Sequence, residues 1–172
     1  PGTKHNPYKP EHLSSGFGLQ TDNILVEFNI PPIQQENQLL TNINIMKDYI
    51  SEYLIKHNYY VNQAYLASAI VEEDQLYDIQ ALEFGCDPDY SCYTVKQNKP
   101  PKLQNPLLRS AGCHWHIGYE KLSIEKGVNL IKYLDMYLGI PSILLDKDTN
   151  RRSLYGKAGS FRFQPWGVEY RV

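Results

Sequence analysis

The segment Ser110-Ala-Gly-Cys-His-Trp-His-Ile-Gly-Tyr119 decides how this sequence is interpreted. If it contains a β-strand, the two-residue period of strand side chains places His114 and His116 on one face and Trp115 on the other. Two histidines on one strand face are typical metal ligands. We expect Trp115 to be buried against a helix and both histidines to point into a polar cleft.

A second segment, Gly167-Val-Glu-Tyr-Arg171, shows the same alternation near the end of the sequence. As a strand it places Glu169 and Arg171 on one face and Tyr170 on the other. A carboxylate and a guanidinium beside two imidazoles suit a metal ion together with a phosphate. We therefore expect the two segments to share one site.

The sequence between these segments is rich in cations and small residues. Arg151-Arg152 precedes Tyr155-Gly-Lys-Ala-Gly159, and Arg162 follows. Small residues beside a cation allow the backbone to approach an anion closely. The pattern favours a phosphate-binding cluster.

Each motif also has an ordinary structural interpretation. The His-x-His pair would serve as hydrogen-bonded core residues, and Glu169 with Arg171 as a surface charge pair. Asp87-Pro-Asp89 is typical of a turn, and Arg151-Arg152 of a solvated loop. The concentration of the two histidines, Glu169 and the cations within about sixty residues favours a site.

Composition describes an ordinary folded protein. With 172 residues, of which 42% are hydrophobic, we predict one domain over residues 1–172. A net charge of -2 gives no general attraction to nucleic acid or anionic membrane, so we expect neither as a partner. We also see no run approaching about 18 apolar residues.

Three cysteines without CxxC spacing favour free thiols in a reducing compartment, which indicates the cytoplasm. The first residues lack the apolar core of a signal peptide. We expect residues 1–18 to form an arm or loop.

Hydrophobic periodicity predicts strands alternating with two amphipathic helices. The predicted elements are a strand at Leu25–Phe28 ended by Pro31-Pro32, a helix over residues 36–57, strands within Tyr59–Val71 and Gln80–Phe84, and the two segments above. A second helix is predicted to begin at Ser123 and to end at Gly139 and Pro141. The order predicts an α+β fold with a largely antiparallel sheet, one face polar and the other covered by helices.

Several segments in this order together resemble the phage-associated carboxylate-amine (COOH-NH2) ligase family, type 2. They are Pro1–Lys4, Asp22–Asn29, Gly85–Tyr90, Leu108–Gly118, Leu138–Asp146, Arg151–Gly159 and Gly167–Arg171. The family is similar to glutamine synthetase and the glutamate-cysteine ligases. The resemblance implies a glutamine-synthetase-like antiparallel half-barrel sheet, with ATP and Mg²⁺ or Mn²⁺ on its concave face.

The resemblance also implies roles for individual residues. The implied metal ligands are Glu27, His114, His116 and Glu169. The implied ATP-binding cations are Arg152, Lys157, Arg162 and Arg171, and the implied catalytic residues are Arg171, Lys157, Arg162 and His116. The implied setting is the cytoplasm of a phage-infected or prophage-carrying bacterium.

The implied reaction is ATP-dependent, ADP-forming synthesis of an amide or peptide bond through an acyl phosphate. The partners would be small-molecule or peptide carboxylates and amines, and a homo-oligomer stays open. One alternative is a catalytically incomplete phage binding or structural protein with a ligase-like fold. Another is a zinc hydrolase using the His-x-His pair, which requires a third ligand.

The sequence departs from the family in two respects. The family has Gly-Gly before its histidines, whereas Gly112 is followed by Cys113 here. Relatives begin with an acidic Asp-Pro-Glu strand before Pro-Gly-Thr-Lys and continue beyond Glu-Tyr-Arg. We expect the chain to be part of a longer product, with part of the metal site outside it.

Overall fold

The structure is a computed structural model, and it describes residues 8–10, 13–22, 24–59, 63–76, 88–120 and 123–171. The chain divides into two compact units. The first comprises Pro1–Tyr65 with Gln75–Leu82, and the second Leu66–Asp74 with Glu83–Val172. The single domain over residues 1–172 stays a prediction.

The first unit packs a hairpin and a long helix around a small core. Strands β1 (Gly18–Asp22) and β2 (Leu25–Asn29) pair antiparallel, and helix α1 spans Glu36–Lys56. In α1, Met46 and Ile50 lie one turn apart, so both reach the core that includes Leu19. The predicted helix and the predicted strand at residues 25–28 are confirmed. The sequence did not separate β1 from it.

The described residues of the second unit form six strands in two antiparallel sheets. Its strands are β3 (Ser68–Ile70), β4 (Tyr90–Ser91), β5 (Leu108–Ser110), β6 (Trp115–Gly118), β7 (Ser160–Gln164) and β8 (Gly167–Tyr170). Strand β3 pairs with β5, and the four-stranded sheet has the order β4-β7-β8-β6. This confirms the α+β class with antiparallel sheets. The predicted strand at Gln80–Phe84 lies outside the described residues.

The strand predicted within Tyr59–Val71 is much shorter in the structure. Only Ser68–Ile70 form it, and a 3₁₀ helix, Glu73–Leu76, follows. Strand β3 pairs over three residues with the equally short β5, so its length is set by this partner. The composition of residues 59–71 alone does not show where the partner strand ends.

A helical segment covers the middle of the four-stranded sheet. Helix α2 (Ile124–Leu134) begins where the Ser123 hydroxyl accepts the Lys126 backbone N–H at 3.3 Å, as predicted. Its Val128 and Ile131 pack with a sheet core that includes Phe161 and Val168. This packing leaves the opposite face of the sheet to polar residues.

The predicted end of this second helix at Gly139 and Pro141 is wrong. A π-helical segment, Asp135–Gly139, leads directly into helix α3 (Ile140–Leu145), and helix α4 (Thr149–Leu154) follows. Pro141 is the second residue of α3 and lies just after the π-helical segment. A proline inside a continuous helix removes one backbone hydrogen bond, so the helix passes through it with a local change of geometry, here the π turn. The wider π turn carries the chain into that position.

The continuous helical segment Ile124–Leu145 has 22 residues and a mean hydropathy of 1.2, so by length and composition it is able to cross a membrane. We found no uninterrupted apolar run of this length in the sequence, because polar residues are interspersed along the helix. The segment is weak evidence for a span, because helices in the cores of water-soluble proteins reach the same values. Part of this segment packs on the sheet through Val128 and Ile131.

Candidate functional site

The open face of the four-stranded sheet carries a row of charged and polar side chains. In the register of β6, β7 and β8, Glu169 lies between Arg162 and His116. Tyr90 of β4 pairs with Phe161, so Asp89 continues the row beside Arg162. Residues opposite each other on neighbouring strands project to the same face. The row therefore places Asp89, Arg162, Glu169 and His116 side by side across the sheet.

Two further side chains join this row from positions two residues away. Arg171 follows Glu169 on the same face, and His114 precedes His116. Ligand atoms of His114, His116 and Glu169 all lie within 4.8 Å of one another. The structure thus contains the cluster that strand alternation predicts.

Glu169 is the centre of the cluster and is only 4% exposed. Its Oε1 atom accepts a short hydrogen bond from Arg171 Nη1, and lies 3.4 Å from Arg162 Nη1 and 3.2 Å from His114 Nδ1. Its Oε2 atom accepts from Gln164 Nε2 at 3.2 Å. A buried carboxylate is stable here because cations and donors surround it.

The electrostatics keep the carboxylate charged and the neighbouring imidazole neutral. Burial opposes the charged form of Glu169, but Arg171, followed by His114 and Arg162, outweighs it and lowers its pKa. Burial, reinforced by Arg171, lowers the pKa of His114 to about 4, although Glu169 acts in the opposite direction. A neutral imidazole and an ionised carboxylate are the forms that bind metals.

These three residues fit a divalent metal ion in donor chemistry and position. Imidazole nitrogens and carboxylate oxygens bind such an ion at about 2.0–2.2 Å, so ligand atoms sharing it lie up to about 4 Å apart. The observed separations of at most 4.8 Å need only a small contraction. The roles of His114, His116 and Glu169 as ligands stay predictions, and Glu27 lies in the first unit, where its carboxylate accepts from Gln20 at 2.7 Å.

Asp89 is a site residue that sequence reasoning missed. Its Oδ2 atom lies 3.8 Å from Arg171 Nε, and the carbonyl oxygen of Pro88 accepts from Arg162 Nε at 3.2 Å. The sequence contained a signal in the Asp-Pro-Asp motif, which we interpreted as a turn. Arg162, the neighbour of Asp89 on the sheet, lies 73 positions away in the sequence. Local sequence patterns therefore cannot predict this contact.

The Trp166 ring also borders the cluster. It lies 4.9 Å from the His116 ring, centre to centre, and 43% of the residue is exposed. This contact limits the orientations of the His116 ring. The sequence placed no role on Trp166.

The predicted burial of Trp115 against a helix is wrong, because the residue is 39% exposed. Strand β6 is at one end of the strand order, whereas α2 packs over β7 and β8. The alternation itself is correct, since Trp115 pairs with the buried Tyr170. A position on the outer strand leaves its side chain uncovered.

Several predicted phosphate-binding cations donate hydrogen bonds to backbone carbonyl groups of other segments. Arg151 Nε donates to Ala111 O at 2.8 Å, and Arg152 Nη2 donates to Ser142 O at 2.7 Å. Lys157 Nζ is exposed and donates to Lys99 O at 3.2 Å. The roles of Arg152 and Lys157 in binding ATP stay predictions.

The small residues beside Lys157 also have a packing function. Gly159 has a φ of +69°, and a Cβ atom there would meet Cys92 Sγ at 2.5 Å. Its N–H donates to Asp135 Oδ1 at 3.0 Å, inside the core. The structure therefore explains this glycine by close packing, which differs from the expected approach to an anion.

The segment that forms this site matches a known protein family. Residues 109–172 match the family model of the phage phiEco32-like COOH.NH2 ligase, type 2. The resemblance stated from the sequence is confirmed over this segment, which carries β6, β7 and β8 and all three clustered residues. At the level of its name, the family is one of carboxylate-amine ligases. No curated protein and no solved structure matches the chain.

Proposed function

We propose that this protein is an ATP-dependent, ADP-forming ligase that joins a carboxylate to an amine through an acyl phosphate. The observation that carries the proposal is the cluster of His114, His116 and Glu169 beside two arginines, inside the segment that matches a carboxylate-amine ligase family. A metal site adjoining fixed cations suits a substrate with several phosphate charges.

The reaction needs activation because a carboxylate is a poor electrophile. Transfer of the γ-phosphoryl group of ATP to the carboxylate oxygen gives an acyl phosphate and ADP. The amine then attacks the acyl carbon, phosphate leaves, and the amine loses a proton. The protein must orient the phosphates and offset the charge that develops during transfer.

The chain's own residues supply these functions in the proposal. Arg162 and Arg171 face the open side of the sheet and offset negative charge on the transferred group. His114, whose imidazole is neutral, would hold the metal ion together with His116 and Glu169. When bound, Mg²⁺ or Mn²⁺ would supply positive charge that neutralises part of the charge on the phosphate groups.

The proposal extends to features that the resemblance implies. Arg152 and Lys157 would contact ATP, and Glu27 would add a metal carboxylate. The four-stranded sheet would be part of a glutamine-synthetase-like half-barrel. The protein would act in the cytoplasm of a phage-infected or prophage-carrying bacterium. The substrates would be small molecules or peptides.

An oxygen-isotope experiment tests the proposal. Candidate carboxylic acids labelled with ¹⁸O are incubated with ATP, Mg²⁺ or Mn²⁺, and hydroxylamine as the amine. An acyl phosphate predicts ADP, a hydroxamate, and phosphate carrying one ¹⁸O atom from the acid. The control is His116→Ala, in which all three products should fall together.

A panel of acids and peptides that yields no ADP and no hydroxamate would contradict the ligase. Binding of ATP without turnover under these conditions would favour the binding or structural protein.

A zinc hydrolase is a second candidate because Glu169 lies close enough to His114 and His116 to be the third ligand that such a site requires. Two histidines and a glutamate form the ligand set of some zinc peptidases. The two arginines around Glu169 favour phosphate chemistry instead, since guanidinium groups beside a metal site attract phosphate oxygens and a peptide or ester substrate carries none. Hydrolysis of peptides or esters by the zinc-loaded protein without ATP would reverse this preference.

A further inference from the structure

Arg171 lies between two carboxylates on the open face of the sheet. Its Nη1 atom bonds to Glu169 Oε1, while its Nε atom lies 3.8 Å from Asp89 Oδ2. The arginine side chain is 6% exposed, and that of Asp89 is 22% exposed. One guanidinium thus contacts two acids through different nitrogen atoms.

This arrangement creates a conflict once Glu169 binds a metal ion, as in the proposed function on which this inference rests. Oε1 of Glu169 lies 3.2 Å from His114 Nδ1, and both residues belong to the cluster of candidate metal ligands. The same oxygen accepts the short hydrogen bond from Arg171. A divalent ion at this oxygen would repel the guanidinium.

The segment Pro88–Asp89 offers both arginines an alternative position. The carbonyl oxygen of Pro88 accepts from Arg162 Nε, and the carboxylate of Asp89 faces Arg171 Nε. The segment is anchored at its own backbone, since the carbonyl oxygen of Asp89 accepts from Asn98 N at 2.9 Å. It therefore provides a fixed negative group on the side of Arg171 away from the metal ligands.

We propose that Asp89 is a positioning residue, which draws the Arg171 guanidinium away from Glu169 and so frees the glutamate to bind a divalent metal ion. Among the described residues, the group contains two acids, Glu169 and Asp89, and two arginines, Arg162 and Arg171. Without the Asp89 charge, Arg171 binds Glu169 more tightly and competes with the metal ion, while the extra positive charge favours anions.

The test compares Mn²⁺ binding without nucleotide and ADP binding without metal, by calorimetry, in folded variants. Asp89→Asn should weaken Mn²⁺ binding by about tenfold to a hundredfold, the range for groups that orient metal ligands. ADP without metal should bind Asp89→Asn at least as tightly as wild type. Asp89→Glu, which keeps the charge, should restore most of the Mn²⁺ affinity.

Two further variants isolate the mechanism. Glu125→Gln removes one exposed carboxylate from the first turn of α2 and should leave Mn²⁺ affinity unchanged. In an Arg171→Gln background, Asp89→Asn should change Mn²⁺ affinity by less than about threefold, because the competing guanidinium is absent. The cycle separates action through Arg171 from a general effect of charge.

The outcomes distinguish this inference from the proposed function. Wild type that binds no Mn²⁺ would overturn the metal site and the inference together. Wild type and Asp89→Asn with equal Mn²⁺ affinity would overturn the role of Asp89 alone. An equal loss of affinity with and without Arg171 would show that Asp89 acts directly on the metal ion, which also overturns positioning.

Discussion

Both faces of the four-stranded sheet are buried along β8, but for different reasons. Val168 and Tyr170 face α2 and are 0% and 1% exposed, whereas Glu169 and Arg171 face the other side and are 4% and 8% exposed. Apolar packing covers the first pair, and ion pairing covers the second. The helix-covered face therefore supplies stability, while the open face holds charges that a ligand can redistribute.

The largest expected effect comes from a substitution on the helix-covered face, and it tests whether this face supplies the stability. Ile131→Ala removes a fully buried side chain that packs with Phe161 and Val168. We expect the free energy of unfolding to fall by about 2–5 kcal/mol, because a cavity replaces packed methyl groups. Urea denaturation measures this loss.

Metal affinity provides the control for Ile131→Ala. At temperatures where the variant is folded, it should bind Mn²⁺ as wild type does, since Ile131 does not face the cluster. A large drop in affinity without a drop in stability would mean that the two faces are not separate in function.

The opposite substitution tests the open face. His116→Ala removes an exposed imidazole of the cluster, so we expect little change in melting temperature. Turnover of ATP should fall by about a hundredfold or more, because an incomplete ligand set leaves phosphate charge unneutralised. The measurement is phosphate release at saturating ATP.

The matched control for His116→Ala is Trp115→Ala on the same strand. Trp115 lies on the other face and should leave turnover within about threefold of wild type. Equal losses in both variants would show that β6 acts only as a scaffold.

Sequence predicted the division between these faces because strand alternation is local. The positions of His114, His116 and Glu169 followed from a two-residue period and needed no knowledge of the register. The row across the sheet could not be predicted in this way, since it depends on which strands pair. Asp89 was missed for that reason, because its role rests on Arg162 as a neighbour from a distant strand.

The helical half of the molecule shows the same limit. The Ser123 cap was predicted from side-chain chemistry, whereas Gly139 and Pro141 were wrongly expected to end the helix. Local propensity marks both residues as helix breakers. Tertiary packing and a π turn overrode that propensity, and neither leaves a clear pattern in the sequence.

A buried acid on the helix-covered face allows a finer test of the comparison. Asp135 is 5% exposed and accepts from the Tyr170 hydroxyl at 2.6 Å and the Tyr93 hydroxyl at 2.7 Å. Tyr170→Phe leaves a buried carboxylate with one donor fewer, so we expect a loss of about 1–2 kcal/mol of stability. Urea denaturation measures it.

Tyr93→Phe is the matched control, because it removes a hydroxyl from the same carboxylate. Tyr93 is 55% exposed, so water can replace its hydroxyl, and the loss should be smaller than for Tyr170→Phe. A larger loss for Tyr93→Phe would place the main support of Asp135 at the surface.

The smallest expected effect is a dependence of stability on pH that arises from the open face. Burial, reinforced by Arg171, lowers the pKa of His114 to about 4 from 6.5, so the folded protein disfavours the protonated imidazole. The folded state therefore binds fewer protons than the unfolded state in this range, and the stabilisation is present above pH 6.5 and is lost as the pH falls toward about 4. Because 33% of the His114 side chain is exposed, solvent screening keeps the effect modest.

Urea denaturation across this pH range measures how the free energy of unfolding depends on pH. The dependence should disappear in His114→Gln and should remain in His57→Gln, a variant in the first unit. Below the usual pKa of a glutamate, both variants should still lose stability, because the unfolded chain takes up a proton at a pH where Glu169, whose pKa is lowered in the folded protein, is still ionised. An unchanged slope in His114→Gln would mean that the open face does not bury its charges tightly enough to affect folding.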